Sequence, residues 1–523
     1  MDLLKKNIHT ERIKSKAVMQ IPLEADINIS DTKPDVANVI FSSAKIKVDE
    51  IKTGMNKIWV KGRLCYQLLY QADGDSGTLA GMDGDIPFME EIYLDKLEGQ
   101  DRVICRTNLE DLRVHIINSR KLSIQSVITL EPKVEESISE ELCVDLDNVG
   151  SAEYGEKLEY RKKSLEFLET AVRKRDLLRI HEETRIPVGM PDIGVVLWKS
   201  AEAGSISFRP MDEKLGVTGE LNVFVVYRED STDKINWYET IIPFSETVEC
   251  QNSREGMIAD VSCETGHEEI TIREDSDGEL RIIGIETTIE LEIKLFEKEN
   301  TSIVADVYGV SCEVHAGIAA KQLKDLYMEL NTEEKLSRNI KLEDAEPKIL
   351  QVCHCDAHPR IEETVFKEDQ MRLIGEVALQ ILYASNTGSS GLYPVKDTVP
   401  FEVVIELPGI QNIRIEQCSP SVQVLQQTVS IKDSAQLEWR GSVNVKMLIY
   451  NEKDEDILTE LEIAPINAEV LEKLPGFAIY YVKPGDSLWQ IGKKYYVSVE
   501  RIKEMNNLTT DEIQAGDKIL IVK

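Results

Sequence analysis

One pattern constrains this chain more than any other: a glycine followed eight residues later by a tyrosine, three times over. The stretches are KIWVKGRLCYQLLYQAD from Lys57, KLGVTGELNVFVVYRED from Lys214 and QMRLIGEVALQILYASN from Gln370. Gly62 and Gly219 lie 157 residues apart, and Gly219 and Gly375 lie 156 apart. The flanks keep the same register. Pro34, Pro191 and Pro347 each stand 28 residues before their glycine, and a Pro-Phe pair follows 24 or 25 residues after it. Later, Gly284 and Gly441 are again 157 apart, with Ser126 at the matching place in the first copy. Several anchors holding one register mean three tandem copies of one unit. A period this long is too large for a solenoid, so each copy is expected to carry its own core, like a bead on a string.

The unit reads as sheet. In TTIELEIKLF, Ile289, Leu291, Ile293 and Leu295 alternate with charged residues; in LEWRGSVNVKMLIY, Leu437, Trp439, Val443, Val445, Met447 and Ile449 do the same. Period two places one face inward and one toward water, as in antiparallel sheets. A glycine inside such a strand marks either a bulge or a close approach of another group. The stretches QADGDSGTLAGMDGD and SNTGSSG read as loops between strands. The connectors SLEFLETAVRKRDLLRI and AAKQLKDLYMEL have helix-compatible spacing, and the first also fits a strand. RLIGEVALQILY and EWRGSVNVKMLIY share a glycine–tyrosine spacing, which hints that the two halves of a unit are themselves related.

The last stretch, from Tyr481, changes character. YYV is a short strand turned by Pro484-Gly485, and Asp486 or Ser487 can cap a following helix. Leu488, Ile491 and Tyr495 would share one face of it. A second helix is expected from about Val499 to Asn506, with Ile502 and Met505 inward. KILIV closes a β-α-α-β module. Residues 477–523 carry seven basic and six acidic side chains, against a net charge of −33 for the whole chain. The module is therefore electrically unlike the body it is attached to.

That charge argues against nucleic acid, whose phosphates need clustered Lys and Arg, and against docking on anionic lipid. MDLLKKNIHTERIKSK lacks the apolar run of a signal peptide, and no stretch is long and apolar enough to span a membrane. Nine scattered cysteines fit reduced thiols in a cytosol. The P-loop, nucleophile-elbow and zincin motifs are absent from the sequence. Acidic pairs such as Glu90-Glu91, or Glu363, are too common among 94 acidic residues to mark a glycosidase. Cys353-His354-Cys355 with His358 is the densest set of metal-ligand types, but it lacks a second ligand pair. The expectation is no catalytic residue, no cofactor, and no stoichiometric zinc.

Two resemblances rest on these residues. YVKPGDSLWQIGKKY, VERIKEMNNL and IQAGDKILIV together resemble a LysM domain. That resemblance implies a groove for N-acetylglucosamine polymers, with Gly485, Asp486, Ser487, Leu488 and Trp489 on one side and Asn507, Leu508, Thr509 and Ile513 on the other. On the residues alone, Leu488 and Ile513 could equally be core and Asp486 a cap, and Trp489 could lie at the groove edge or in the core. As tryptophan is enriched among residues that dominate binding, Trp489→Ala is expected to weaken partner binding. The three strand-rich units followed by such a module resemble the SPOCS-domain spore-coat morphogenesis proteins of endospore-forming Firmicutes. The fold expected is mainly β: three tandem β-sandwich-like SPOCS repeats, over 1–145, 146–312 and 313–470, then the small βααβ LysM domain at 477–523. The resemblance implies a non-enzymatic scaffold in the mother-cell cytoplasm, recruited to the forespore surface. Its partner would be the spore-coat morphogenetic ATPase or another coat protein, with peptidoglycan binding as the alternative.

Overall fold

The computed structural model describes residues 2–74, 78–99, 101–147, 158–230, 232, 234–343, 347–367, 369–386, 391–409, 418–467 and 475–522. Parts of both expected loops, 75–77 and 387–390, lie outside the described residues. The first repeat runs through β1 (Leu3–Lys16), β2 (Met19–Asn28), β3 (Val36–Gly54), β4 (Lys57–Ala72), β5 (Leu79–Tyr93), β6 (Val103–Asn118) and β7 (Lys121–Leu146). The second comprises β8 (Leu158–Arg185), β9 (Ile193–Met211), β10 (Lys214–Glu229), β11 (Ile235–Glu249), β12 (Ile258–Glu274) and β13 (Leu280–Gly309). The third comprises β14 (Cys312–Lys341), β15 (Gln351–Lys367), β16 (Gln370–Ala384), β17 (Leu392–Glu406), β18 (Cys418–Asp433) and β19 (Gln436–Pro465).

Each repeat is two antiparallel sheets packed face to face. One has β4, β10 or β16 at its centre; the other has β7, β13 or β19. The alternating residues of the central strands fill the space between: Ile289, Leu291, Ile293 and Leu295 are buried in the second repeat, and Leu437, Trp439, Val443, Val445, Met447 and Ile449 in the third. The repeat anchors prove to be contacts. The hydroxyls of Tyr70, Tyr227 and Tyr383 donate to the carbonyls of Pro34, Pro191 and Pro347, at 3.1, 2.9 and 3.0 Å. The Pro-Phe aromatics lie on the strand glycines: a Cβ at Gly62 or Gly219 would stand 2.5 Å from the Phe88 or Phe244 ring, and one at Gly375 2.6 Å from Phe401. The neighbouring strand slips register at the same level, between Val48 and Glu50 and between Ile361 and Glu363. Bulge and close approach therefore coincide.

Two sequence expectations are corrected. The connectors are not helical: 164–180 lies in β8 and 319–330 in β14, paired with β13 and β19 along their whole length. Residues 79–85 likewise belong to β5 and not to a loop. Left as a helix, β8 would expose the full backbone edge of β13, and each buried unpaired amide is costly.

The repeats are also not separate beads. Strands β1/β7, β8/β13 and β14/β19 extend beyond their sandwiches as three ribbons that pack together through Ile8, Leu142, Leu165, Phe167, Ile303, Leu323 and Ile457. Ion pairs run round this bundle in a cycle: Lys6 to Glu299 at 2.8 Å, Lys163 to Glu455 at 2.5 Å, and Lys321 to Glu140. At the other end a second shared core joins Ile40, Phe41, Leu69, Leu197, Trp198, Val226, Cys353 and Leu382. Contacts there close the circle, β5 on β9, β11 on β15 and β17 on β3. Phe41, Trp198 and His354 hold equivalent places around the resulting pseudo-threefold axis.

Candidate functional site

The terminal module is β20 (Phe477–Tyr481), α1 (Leu488–Tyr495), α2 (Val499–Asn506) and β21 (Lys518–Val522). Its core is Val482, Leu488, Ile491, Val497, Val499, Ile502, Ile519 and Ile521. Ser487 is the cap of α1: its hydroxyl accepts from the Gln490 amide, and the Gln490 side chain accepts from the Ser487 amide, forming a capping box. Asp486 is a latch for the preceding turn. Its carboxylate accepts from the Lys483 amide and the Tyr480 hydroxyl, both at 2.8 Å, and these bonds hold its pKa below the usual value. Gly485 takes a φ of 90°, which favours glycine. Asn507 ends α2 in the left-handed region.

The two loops expected to flank a groove, 482–487 and 507–517, are tied together: Gly516 N donates to Val482 O at 2.8 Å, and Val482 N to Asp517 O at 3.0 Å. Lys483, Pro484, Gly485, Thr509, Thr510 and Gln514 are exposed there. Leu508 and Ile513 pack partly against the core, while Leu488 is wholly buried and offers no side-chain surface to a ligand.

Trp489 lies neither at a free groove edge nor in the module's core centre. It faces the second repeat. Its indole N–H donates to Asp306 Oδ2 at 2.7 Å, its ring meets Tyr308 edge-on at 4.8 Å, and the Arg161 guanidinium lies 5.3 Å from its centre. Lys493 pairs with the other Asp306 oxygen at 2.6 Å, and the Tyr308 hydroxyl donates to Val497 O at 2.9 Å. Gly492 leaves room for that hydroxyl, since a Cβ there would stand 2.6 Å from it. Burial raises the Asp306 pKa, but the bonds from Lys493 and Trp489 outweigh it and hold the carboxyl low. Thus α1 is docked on the tip of the β8/β13 ribbon, and Trp489 is committed within the chain. Sequence reasoning had no route to Asp306, Tyr308 or Arg161, because nothing local to them signals a partner more than 180 residues away.

The CHC segment sits at the pseudo-threefold axis. His354 stacks on Phe224 at 3.9 Å, its Nδ1 meets Glu239 at 2.7 Å, and its Nε2 meets Asp356 at 2.8 Å. Burial disfavours the charged ring, yet the bonds to Asp356 and Glu239 prevail and push its pKa up to about 9. Burial raises both thiols, Cys353 and Cys355, well above the usual range.

The comparisons with known proteins agree with this architecture. The SipL SPOCS-domain model matches residues 35–117, 192–273 and 348–432, and the LysM domain model matches 480–522. The chain is similar to the uncharacterized protein YkzQ of Bacillus subtilis (strain 168), 36% identical over 45 residues; the match spans 9% of this chain and 60% of that protein. No solved structure matches. Among the described residues no helix is long and apolar enough to cross a membrane. Both domain types are binding or scaffold types, and together they mark a sporulation-related chain with peptidoglycan-binding capacity. The chain therefore carries three SPOCS domains, closed into one ring, followed by a LysM domain.

Proposed function

We propose that this chain is a non-enzymatic scaffold of endospore coat assembly. It tethers the coat basement layer at the forespore surface from the mother-cell side. The observation that carries this reading is the docked LysM domain. Its α1 face is held by Asp306 and Tyr308, while Lys483, Pro484, Gly485, Thr509, Thr510 and Gln514 on its loops are exposed. A body of three interlocked sandwiches thus presents one module in a fixed attitude, which suits a tether better than a catalyst. The loops recognise a coat protein, the coat morphogenetic ATPase being the partner the domain pair suggests. Gly485, Asp486, Ser487, Asn507, Leu508, Thr509 and Ile513 shape that surface, through backbone and loop geometry more than through Leu488 or Trp489.

A second reading has its own support. The exposed residues at 483–485 and 509–512 give the loops a polar, solvent-facing surface of the kind that suits the amides of N-acetylglucosamine polymers. The full-length chain with Thr509→Arg separates the two, because Thr509 is exposed and the core is untouched. Loss of binding to the purified coat ATPase, with the fold intact by circular dichroism, supports the tether. A folded variant that keeps the ATPase but no longer sediments with peptidoglycan makes the loops a sugar site.

A further inference from the structure

The ring closure brings together residues that no single segment contains. Lys45, Glu202 and His358 each follow Phe41, Trp198 and His354 by four residues, so they hold equivalent places on β3, β9 and β15. Asp356 lies two residues before His358. One ligand atom each from Glu202, Asp356 and His358 lies within 4.8 Å of the others. Glu202 belongs to the second repeat and the other two to the third, so the cluster spans a junction.

The chemistry of the set is specific. One imidazole and two carboxylates suit zinc and similar first-row divalent ions; calcium wants more oxygens, and magnesium favours carboxylates with several waters. Three protein ligands leave a fourth position for water. Four-coordinate zinc holds its ligands at about 2.0–2.2 Å, so the three must close by roughly an ångström, within the reach of side-chain rotation. A supporting layer exists: Asp356 is fixed by His354 at 2.8 Å, and His354 by Glu239 at 2.7 Å. His358 is exposed, giving the ion a path from solvent. The competing cation is Lys45, 3.5 Å from Glu202; its closer partner is Glu268, at 2.6 Å, so Glu202 is the less engaged of its two carboxylates.

We propose that Glu202, Asp356 and His358 form a site for Zn2+ or a similar first-row divalent ion that staples the second repeat to the third beside the pseudo-threefold axis. This departs from the expectation of no stoichiometric zinc, which rests on Cys353, His354, Cys355 and His358 alone. Glu202 stands 154 residues before Asp356 and was out of its view.

The test uses the full-length chain, stripped with a chelator and dialysed against zinc chloride. About one zinc per chain is expected by elemental analysis, with a rise in melting temperature. His358→Ala and Glu202→Gln should each weaken zinc binding at least tenfold, in the range seen when a metal site loses one of its supporting groups. Lys45→Met should bind zinc more tightly than the parent, because the competing charge is gone. Cobalt gives an independent reading on the unaltered chain: visible ligand-field bands without a thiolate charge-transfer band. Wild-type protein that retains no zinc, or either ligand variant binding as well as wild type, overturns the assignment. So does a thiolate band with cobalt, which would move the ion to the cysteines.

Discussion

The strand glycines show how one missing side chain can set a domain's geometry. At Gly219 the Phe244 ring occupies the space a Cβ would need. Gly219→Ala should therefore cost about 1–3 kcal/mol, the usual range for overpacking, read as a lowered urea midpoint. Pairing it with Phe244→Leu should recover part of the loss, and a strictly additive double mutant would refute the contact. A charged residue gives a second prediction. Lys324 lies over the Tyr450 ring at 3.4 Å, and burial, only partly offset by Asp260, brings its pKa down to about 8. Its unfolded value is near 10.5, so the unfolded chain binds the extra proton between these values and stability rises with pH there. Lys324→Met should remove that rise between about pH 8 and 10.5, seen as a flatter midpoint-versus-pH curve. The glycine, proline and tyrosine anchors were legible because each is a fixed backbone or ring contact repeated three times. The burial of Lys324 was not, since the surroundings that bury it come from β12, β13 and β19.

Among the elements, the short α1 helix carries the most unexpected role. A cap at Asp486 or Ser487 and an apolar face were readable from local sequence, and α2 spans Val499–Asn506 as anticipated. Its outer face was ambiguous, because Trp489 in isolation fits a groove, a core or an interface equally well. The ribbon tip resolves it as an interface. Asp306→Ala should free the domain: faster amide exchange at 489–497, with the ring itself unchanged. Unaltered exchange would show that the contact contributes nothing in solution. A charge-assisted bond of this kind is worth about 1.5–3 kcal/mol. Because the folded Asp306 pKa is depressed, its contribution is present above the ordinary carboxylate value of 3.8 and disappears as pH falls through the lower folded value. Protection of the amides at 489–497, taken relative to their intrinsic exchange rates, should fall over that same acid window. The connectors teach the converse lesson. SLEFLETAVRKRDLLRI satisfies helical and alternating spacing alike, so the sequence left the choice open. The waiting edge of β13 decides it, a partner more than a hundred residues downstream.

In the whole molecule, the described residues of the three sandwiches share three apolar clusters besides their own cores, one at the axis and two along the ribbons. A fragment holding only residues 2–147 would expose Ile8, Phe41, Leu69 and Leu142, all buried in the complete ring. We expect that fragment to bind a hydrophobic dye and unfold at lower urea. The complete body should melt in one transition; three resolved transitions would mean that the repeats behave independently. Three copies of a sandwich could be read from the register of their anchors, but closure could not. The residues that meet at the axis are Phe41, Trp198 and His354, three different side chains whose common place becomes evident only once the ring is closed. Three identical polypeptides arranged this way would be obliged to place the same group at the axis three times, and a buried imidazolium would face two of its own kind. Joining the copies in a single polypeptide lifts that obligation. It also lets the LysM module rest on one lobe alone, the second repeat, and so gives the body a heading that three identical lobes would lack.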